Sequence, residues 1–76
     1  MKHVIEVFDR QTEDLVISVE VPESRHDALK TLMNWKQPDD EFDGYDLSPE
    51  QVRVLEDWTG KTLMGANHIV QLVCTE

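Results

Sequence analysis

The chain has 76 residues, a formal net charge of −9 and a hydrophobic fraction of 39%. A chain of this length forms one domain around one core, and its composition is that of a folded protein rather than a disordered tail. The charge argues against nucleic acid and anionic membranes as direct ligands, because phosphate groups would be repelled. Cys74 is the only cysteine, which rules out an internal disulfide and is typical of a reduced thiol in a cytosolic protein.

No stretch of the chain predicts insertion into a membrane or export across one. Glu6 and Asp9 place charge where a signal peptide needs an uninterrupted apolar run. No apolar run approaches the length of a transmembrane helix. We therefore expect a cytoplasmic protein.

Two β-strands are predicted in the first 21 residues. Residues 3–8 and 15–21 are rich in β-branched side chains and alternate between apolar and polar positions, which is typical of strands with one buried face. In the first of them we expect Ile5 and Val7 to point inward. The segment 9–14 between them is short and polar, which predicts an antiparallel hairpin.

A first helix is predicted over about residues 23–35. Apolar side chains recur there at helical spacing, and Ser24 with Asp27 forms a plausible capping pair. Trp35 near its end, like Trp58 in the second helix, is expected to pack against the core, because large aromatic side chains are mostly buried.

A second helix is predicted to begin after Ser48. Ser48 is a favourable N-cap, Pro49 suits the first helical position, and Gln51 can complete a capping box. Gly60 is the expected C-terminal stop, since glycine readily takes the left-handed conformation that ends helices. This segment carries the most complete helix signals in the chain.

A last strand is predicted at residues 69–74, where apolar side chains fall on both faces. The order is then β-β-α-α-β within a single domain, 1–76. We expect an α+β fold with a three-stranded, at least partly antiparallel sheet and two helices on one face. The last strand must pair with one of the first two, and the sequence leaves open which.

The most unusual stretch is the acidic segment, residues 38–47, which combines five carboxylates with two aromatic rings and one glycine. Six acids and no basic residue between positions 37 and 50 account for −6 of the net charge of −9. Focused charge steers association with basic proteins, and aromatic rings commonly anchor interfaces. The candidate partner-binding residues are Asp39, Asp40, Glu41, Phe42, Asp43, Tyr45 and Asp46.

Two other interpretations of the acidic segment remain open. It can be a solvated loop whose rings pack onto the helices, as most charge runs are solvated faces. It also aligns in part with an EF-hand calcium loop, whose positions 1, 5, 6 and 12 would be Asp39, Asp43, Gly44 and Glu50. The alignment fails at Glu41 and Asp46, and no second calcium loop is found.

Metal and catalytic signatures are otherwise lacking in the sequence. His3, His26 and His68 have no zinc-type spacing, so no metal site and no cofactor are predicted. There is no phosphate-binding loop, nucleophile elbow or Cys/His arrangement. A second set of acids lies in the hairpin turn and on its strands: Glu6, Asp9, Glu13, Asp14 and Glu20. Turn chemistry alone accounts for Asp9, Glu13 and Asp14, and the sequence leaves open whether the set forms one patch with the acidic segment. We therefore expect a protein that is not an enzyme.

Several stretches resemble small acidic bacterial immunity proteins, the antidotes of contact-dependent growth-inhibition and other polymorphic toxins. They are Ile5–Arg10, Val19–Glu23, Trp35 and Tyr45–Val52, and the resemblance covers about residues 4–60. It implies tight binding of a cognate toxin domain, which in this class is often a nuclease with a basic cleft.

The sequence therefore predicts an immunity protein that neutralises a basic toxin domain, a nuclease, by forming a heterodimer through the acidic segment. The first alternative is a single EF-hand-like calcium module. The second is an acidic adaptor for another basic protein, which differs only in the identity of its partner.

Overall fold

The computed structural model describes residues 2–75. Its main elements are β1 (Lys2–Asp9), β2 (Leu15–Glu20), α1 (His26–Met33), β3 (Tyr45–Asp46), α2 (Pro49–Thr59) and β4 (His68–Thr75). Two short 3-10 helices, Glu23–Arg25 and Pro38–Phe42, precede α1 and β3. Among the described residues, no helix is both long enough and apolar enough to cross a membrane.

The four strands form one antiparallel sheet in the order β2-β1-β4-β3. The α+β class and the two helices are confirmed, whereas the expectation of three strands is wrong in detail. The additional strand, β3, is two residues long and pairs with Leu72 and Gln71 of β4. Pairing across 25 or more residues leaves no local pattern, so this strand was invisible in the sequence. The last predicted strand is central, between β1 and β3.

One face of the sheet packs against both helices and forms the core. Ile5 and Val7 of β1 are fully buried, as predicted, beside Leu29 of α1 and Leu55 of α2. Each such side chain contributes about 1.5–3 kcal/mol relative to an exposed one. The alternate residues of β1 lie on the other face and are only half-buried. The sheet therefore has one covered face and one face turned to solvent.

The second helix begins and ends as predicted. The Ser48 side chain accepts a hydrogen bond from the Gln51 backbone N–H (3.3 Å), and the Gln51 side chain accepts one from the Ser48 backbone N–H (2.9 Å). Gly60 closes the helix in the left-handed region, with φ of 70°. This local chemistry fixes the point at which the chain leaves the acidic segment.

The first helix is shorter than predicted and starts differently. A 3-10 turn follows Pro22, whose carbonyl oxygen accepts a hydrogen bond from the Arg25 N–H (3.0 Å), and no side chain caps either this turn or α1. The predicted capping role of Ser24 is therefore wrong. Asn34 takes the left-handed conformation (φ of 56°) and ends α1, which leaves Trp35 beyond the helix, packed against the core.

Candidate functional site

The acidic segment is not an irregular loop. Residues 38–43, which we call the acidic turn, consist of a 3-10 helix followed by Asp43. The Asp40 carboxylate accepts hydrogen bonds from the backbone N–H groups of Lys36 (2.9 Å) and Gln37 (3.0 Å). These two donors hold the pKa of Asp40 below its usual value. Asp40 therefore has a structural role that the sequence interpretation did not assign.

Tyr45 closes the acidic turn from the other side. Its hydroxyl donates a hydrogen bond of 2.6 Å to the Asp40 carbonyl oxygen, and its half-buried ring lies 5.9 Å from the ring of Trp35. Burial, followed by the charges of Asp43 and Asp40, raises the pKa of Tyr45. The hydroxyl thus remains a donor, and the turn is held at both ends by hydrogen bonds.

The predicted partner-binding residues divide into two groups by exposure. The exposed ones are Asp39, Phe42, Asp43 and Asp46, and the half-buried ones are Asp40, Glu41 and Tyr45. Phe42 is the most exposed large apolar residue of the described chain, at 58%. Asp46 points to the outer face of the sheet, where its carboxylate accepts a hydrogen bond of 2.9 Å from the Gln71 side chain. The acidic turn therefore exposes two carboxylates, those of Asp39 and Asp43, and one aromatic ring, that of Phe42.

Glu41 turns away from the other acids and meets two histidines. Its carboxylate lies 3.6 Å from Nε2 of His26, the first residue of α1, and its side chain is only 13% exposed. The His26 ring stacks on the ring of His3 from β1, with centroids 5.5 Å apart. One ring nitrogen of each histidine and one oxygen of Glu41 all lie within 4.8 Å of one another. We call these three residues the His-His-Glu cluster.

The cluster was missed in the sequence because its members have no motif spacing. His3, His26 and Glu41 lie on three different elements, and the sheet register and helix packing alone bring them together. The alternating pattern of β1 did place position 3 on the inner face with Ile5, which is the only local signal. His3 and His26 therefore lie together although their spacing in the sequence is not of the zinc type.

A row of rings connects this cluster to the acidic turn. Tyr45, Trp35, His3 and His26 follow one another, with centroid distances of 5.9, 5.4 and 5.5 Å. Nε2 of His3 and Nε1 of Trp35 are buried, and neither has a hydrogen-bond partner among residues 2–75. Burial is the main cause that lowers the pKa of His3, so its imidazole is neutral at pH 7. An unpaired buried nitrogen is costly in a folded protein.

The acids of the hairpin turn do not lie next to the acidic turn. Asp9, at the hairpin end of β1, pairs with His68, whereas Tyr45 pairs with Leu72, four residues further along β4. That separation is about 13 Å along the strand. The acidic turn precedes Tyr45 in the chain and lies on the side of it that faces away from the hairpin. Glu20 instead lies beside the cluster, in a pocket of ≈ 300 Å³ that it lines with His3 and His26.

The calcium alignment is not assembled in the structure. Among residues 2–75, the His-His-Glu cluster is the one group of three or more potential metal ligands that lie close together. Glu41 faces His26, and Glu50 is the second residue of α2. The carboxylates that an EF-hand would bring together on one ion therefore do not form a close group among these residues.

The family model described as "Domain of unknown function (DUF7683)" matches residues 2–72, which is 71 of the 76 residues. No curated protein and no solved structure matches the chain. The match spans all the elements that build the acidic turn and the His-His-Glu cluster. Both features therefore lie within the residues that the family model matches.

Proposed function

We propose that this chain, which belongs to the DUF7683 family, is an immunity protein that binds and neutralises a basic toxin domain. The toxin is a nuclease, and the complex is a heterodimer formed in the cytoplasm. The observation that carries the proposal is the acidic turn, which three hydrogen bonds hold in place and which exposes Asp39, Asp43 and the ring of Phe42.

Charge supports a cationic partner. Six acids and no basic residue lie between positions 37 and 50, and Asp39, Asp43 and Asp46 are exposed. A nuclease cleft that holds phosphates is positively charged, and complementary charge raises the rate of encounter with it. The acidic turn would occupy such a cleft in place of the nucleic acid.

Rigidity supports tight binding. Two backbone donors on the Asp40 carboxylate and the hydroxyl of Tyr45 hold the turn in one conformation. A surface ordered before binding loses less conformational entropy on association. Phe42 provides an apolar anchor, and aromatic side chains often dominate the binding energy of interfaces.

Inhibition of this kind requires no chemistry from the chain itself. Occupying the basic cleft of the toxin blocks the approach of its substrate. The protein is accordingly proposed to be a binding protein and not an enzyme, and neither a cofactor nor nucleic acid takes part in the complex.

The test is to co-express the chain with the product of the gene immediately upstream. The proposal expects the two proteins to co-purify as a one-to-one complex and the chain to restore growth of cells that produce the toxin. A complex without growth rescue would instead favour the acidic adaptor. Absence of both complex and rescue would overturn the immunity function.

A further inference from the structure

We propose that the His-His-Glu cluster is a binding site for a divalent transition-metal ion of the zinc class. Its ligands are His3 from β1, His26 from α1 and Glu41 from the acidic turn. The inference does not depend on the proposed toxin partner, because all three ligands belong to this chain.

The geometry is close to that of a bound site. Zinc lies about 2.0–2.1 Å from histidine nitrogens and carboxylate oxygens, so two tetrahedral ligand atoms are separated by about 3.3–3.4 Å. The His26 and Glu41 atoms are already 3.6 Å apart, and all three ligand atoms lie within 4.8 Å.

His3 supplies the second, independent observation. It is 7% exposed, and its buried Nε2 has no hydrogen-bond partner among the described residues. An ion pair between His26 and Glu41 alone uses only two of the three side chains and does nothing for His3. A metal ion bound by all three residues would also engage the buried ring of His3, one nitrogen of which has no partner among the described residues.

The donor atoms determine the class of metal. Two imidazoles and one carboxylate suit zinc and its neighbours in the transition series, whereas calcium and magnesium prefer oxygen ligands alone. A ligating histidine must be neutral. Three protein ligands leave a fourth position for water or for a group from a partner.

Such an ion would join three elements that are distant in the sequence. It would fasten the acidic turn, through Glu41, to the inner face of the sheet and to the start of α1. The position of the acidic turn would then depend on metal as well as on Asp40 and Tyr45.

The experiment is calorimetric titration of the full chain with zinc chloride at pH 7.5, with calcium chloride in parallel. The proposal expects one zinc ion per chain and no comparable calcium site. Glu41→Gln and His26→Gln should each weaken zinc binding by about tenfold or more. Asp43→Asn is the matched control, since it removes the same charge from the same turn outside the cluster, and it should retain the affinity within about twofold.

Side-chain ¹⁵N NMR of the unmodified chain provides a readout that needs no variant. One equivalent of zinc should shift the ring-nitrogen signals of His3 and His26 and leave those of His68 in place. Equal zinc affinity in Glu41→Gln and Asp43→Asn would overturn the site, as would zinc binding that leaves the signals of His3 and His26 unchanged. No binding at millimolar zinc would also overturn it.

Discussion

Two turns of the chain, the hairpin turn and the acidic turn, are each held by an aspartate carboxylate that accepts two backbone hydrogen bonds. In the hairpin turn, residues 10–14, the Asp9 carboxylate accepts hydrogen bonds from the backbone N–H groups of Gln11 (2.8 Å) and Thr12 (3.0 Å). In the acidic turn the Asp40 carboxylate accepts hydrogen bonds from the backbone N–H groups of Lys36 and Gln37. These donors hold the pKa of both aspartates below the usual value.

The two turns differ in what lies next to them. The hairpin turn is exposed throughout, whereas the acidic turn lies at the end of a row of rings and sends Glu41 into a cluster with two histidines. Acidic residues alone therefore do not distinguish a binding surface from a solvated turn. The neighbours supplied by the fold make the difference, and each of the following predictions tests it.

The largest effect is expected from charge reversal. Asp39→Lys with Asp43→Lys should slow association with the basic partner by about tenfold or more and flatten its dependence on salt, because these charges steer the encounter. Glu13→Lys with Asp14→Lys makes the same change in charge in the hairpin turn and should slow it by less than about threefold. Stopped-flow kinetics at several salt concentrations measures both. Equal slowing by the two pairs would show that only total charge matters.

A smaller effect is expected from removal of one exposed ring. Phe42→Ala should weaken the complex by about tenfold, since an anchoring aromatic commonly contributes more than 1 kcal/mol. Leu15→Ala is the matched control near the hairpin, because Leu15 and Phe42 are similarly exposed, at 51% and 58%. Each substitution should change the free energy of unfolding by less than about 0.5 kcal/mol. Unchanged affinity in Phe42→Ala would remove the ring from the interface.

The smallest effect concerns the two capping carboxylates. Their lowered pKa values mean that, as pH falls, the unfolded chain takes up these protons before the folded chain does. Each carboxylate therefore stabilises the fold above the unfolded pKa of about 4, and this contribution is lost as pH falls through the depressed folded pKa. Asp40→Asn and Asp9→Asn should both lower the urea midpoint at pH 7.

Urea unfolding at pH 7 and at about pH 2 tests that expectation, since the variants should approach the unmodified chain once its own carboxyl groups are protonated. The two variants should differ in their affinity for the partner. Asp40→Asn loosens the acidic turn and should weaken the complex, whereas Asp9→Asn should leave it unchanged. A destabilisation that persists undiminished at low pH would contradict the role assigned to the charge.

Much of the fold was predictable because its signals are local. The alternation that buries Ile5 and Val7, the capping box of Ser48 and Gln51, and the stop at Gly60 all involve residues within a few positions of one another. The prediction that Ser24 caps the first helix was wrong because it, too, considered only local signals. Ser24 has a suitable side chain for a cap, but the backbone after Pro22 takes a 3-10 turn that needs none.

The candidate site was predictable only in part. The acidic segment and its rings were identified from composition, and whether they bind a partner remains a prediction. The hydrogen bonds that Asp40 accepts from the backbone and from the Tyr45 hydroxyl depend on the conformation of the acidic turn. Amino-acid composition does not encode that conformation. The two-residue strand β3 depends on partners 25 and 27 residues away.

By itself, the sequence determined the concentration of acids between residues 37 and 50, the hairpin, the limits of α2 and the α+β class. These properties arise from charge count, side-chain periodicity and capping, which act over one or two turns of chain. Only the tertiary structure decided that Glu41 leaves its acidic neighbours to meet His3 and His26. That contact requires a strand, a helix and a turn to converge, and their convergence follows from burial of a shared core.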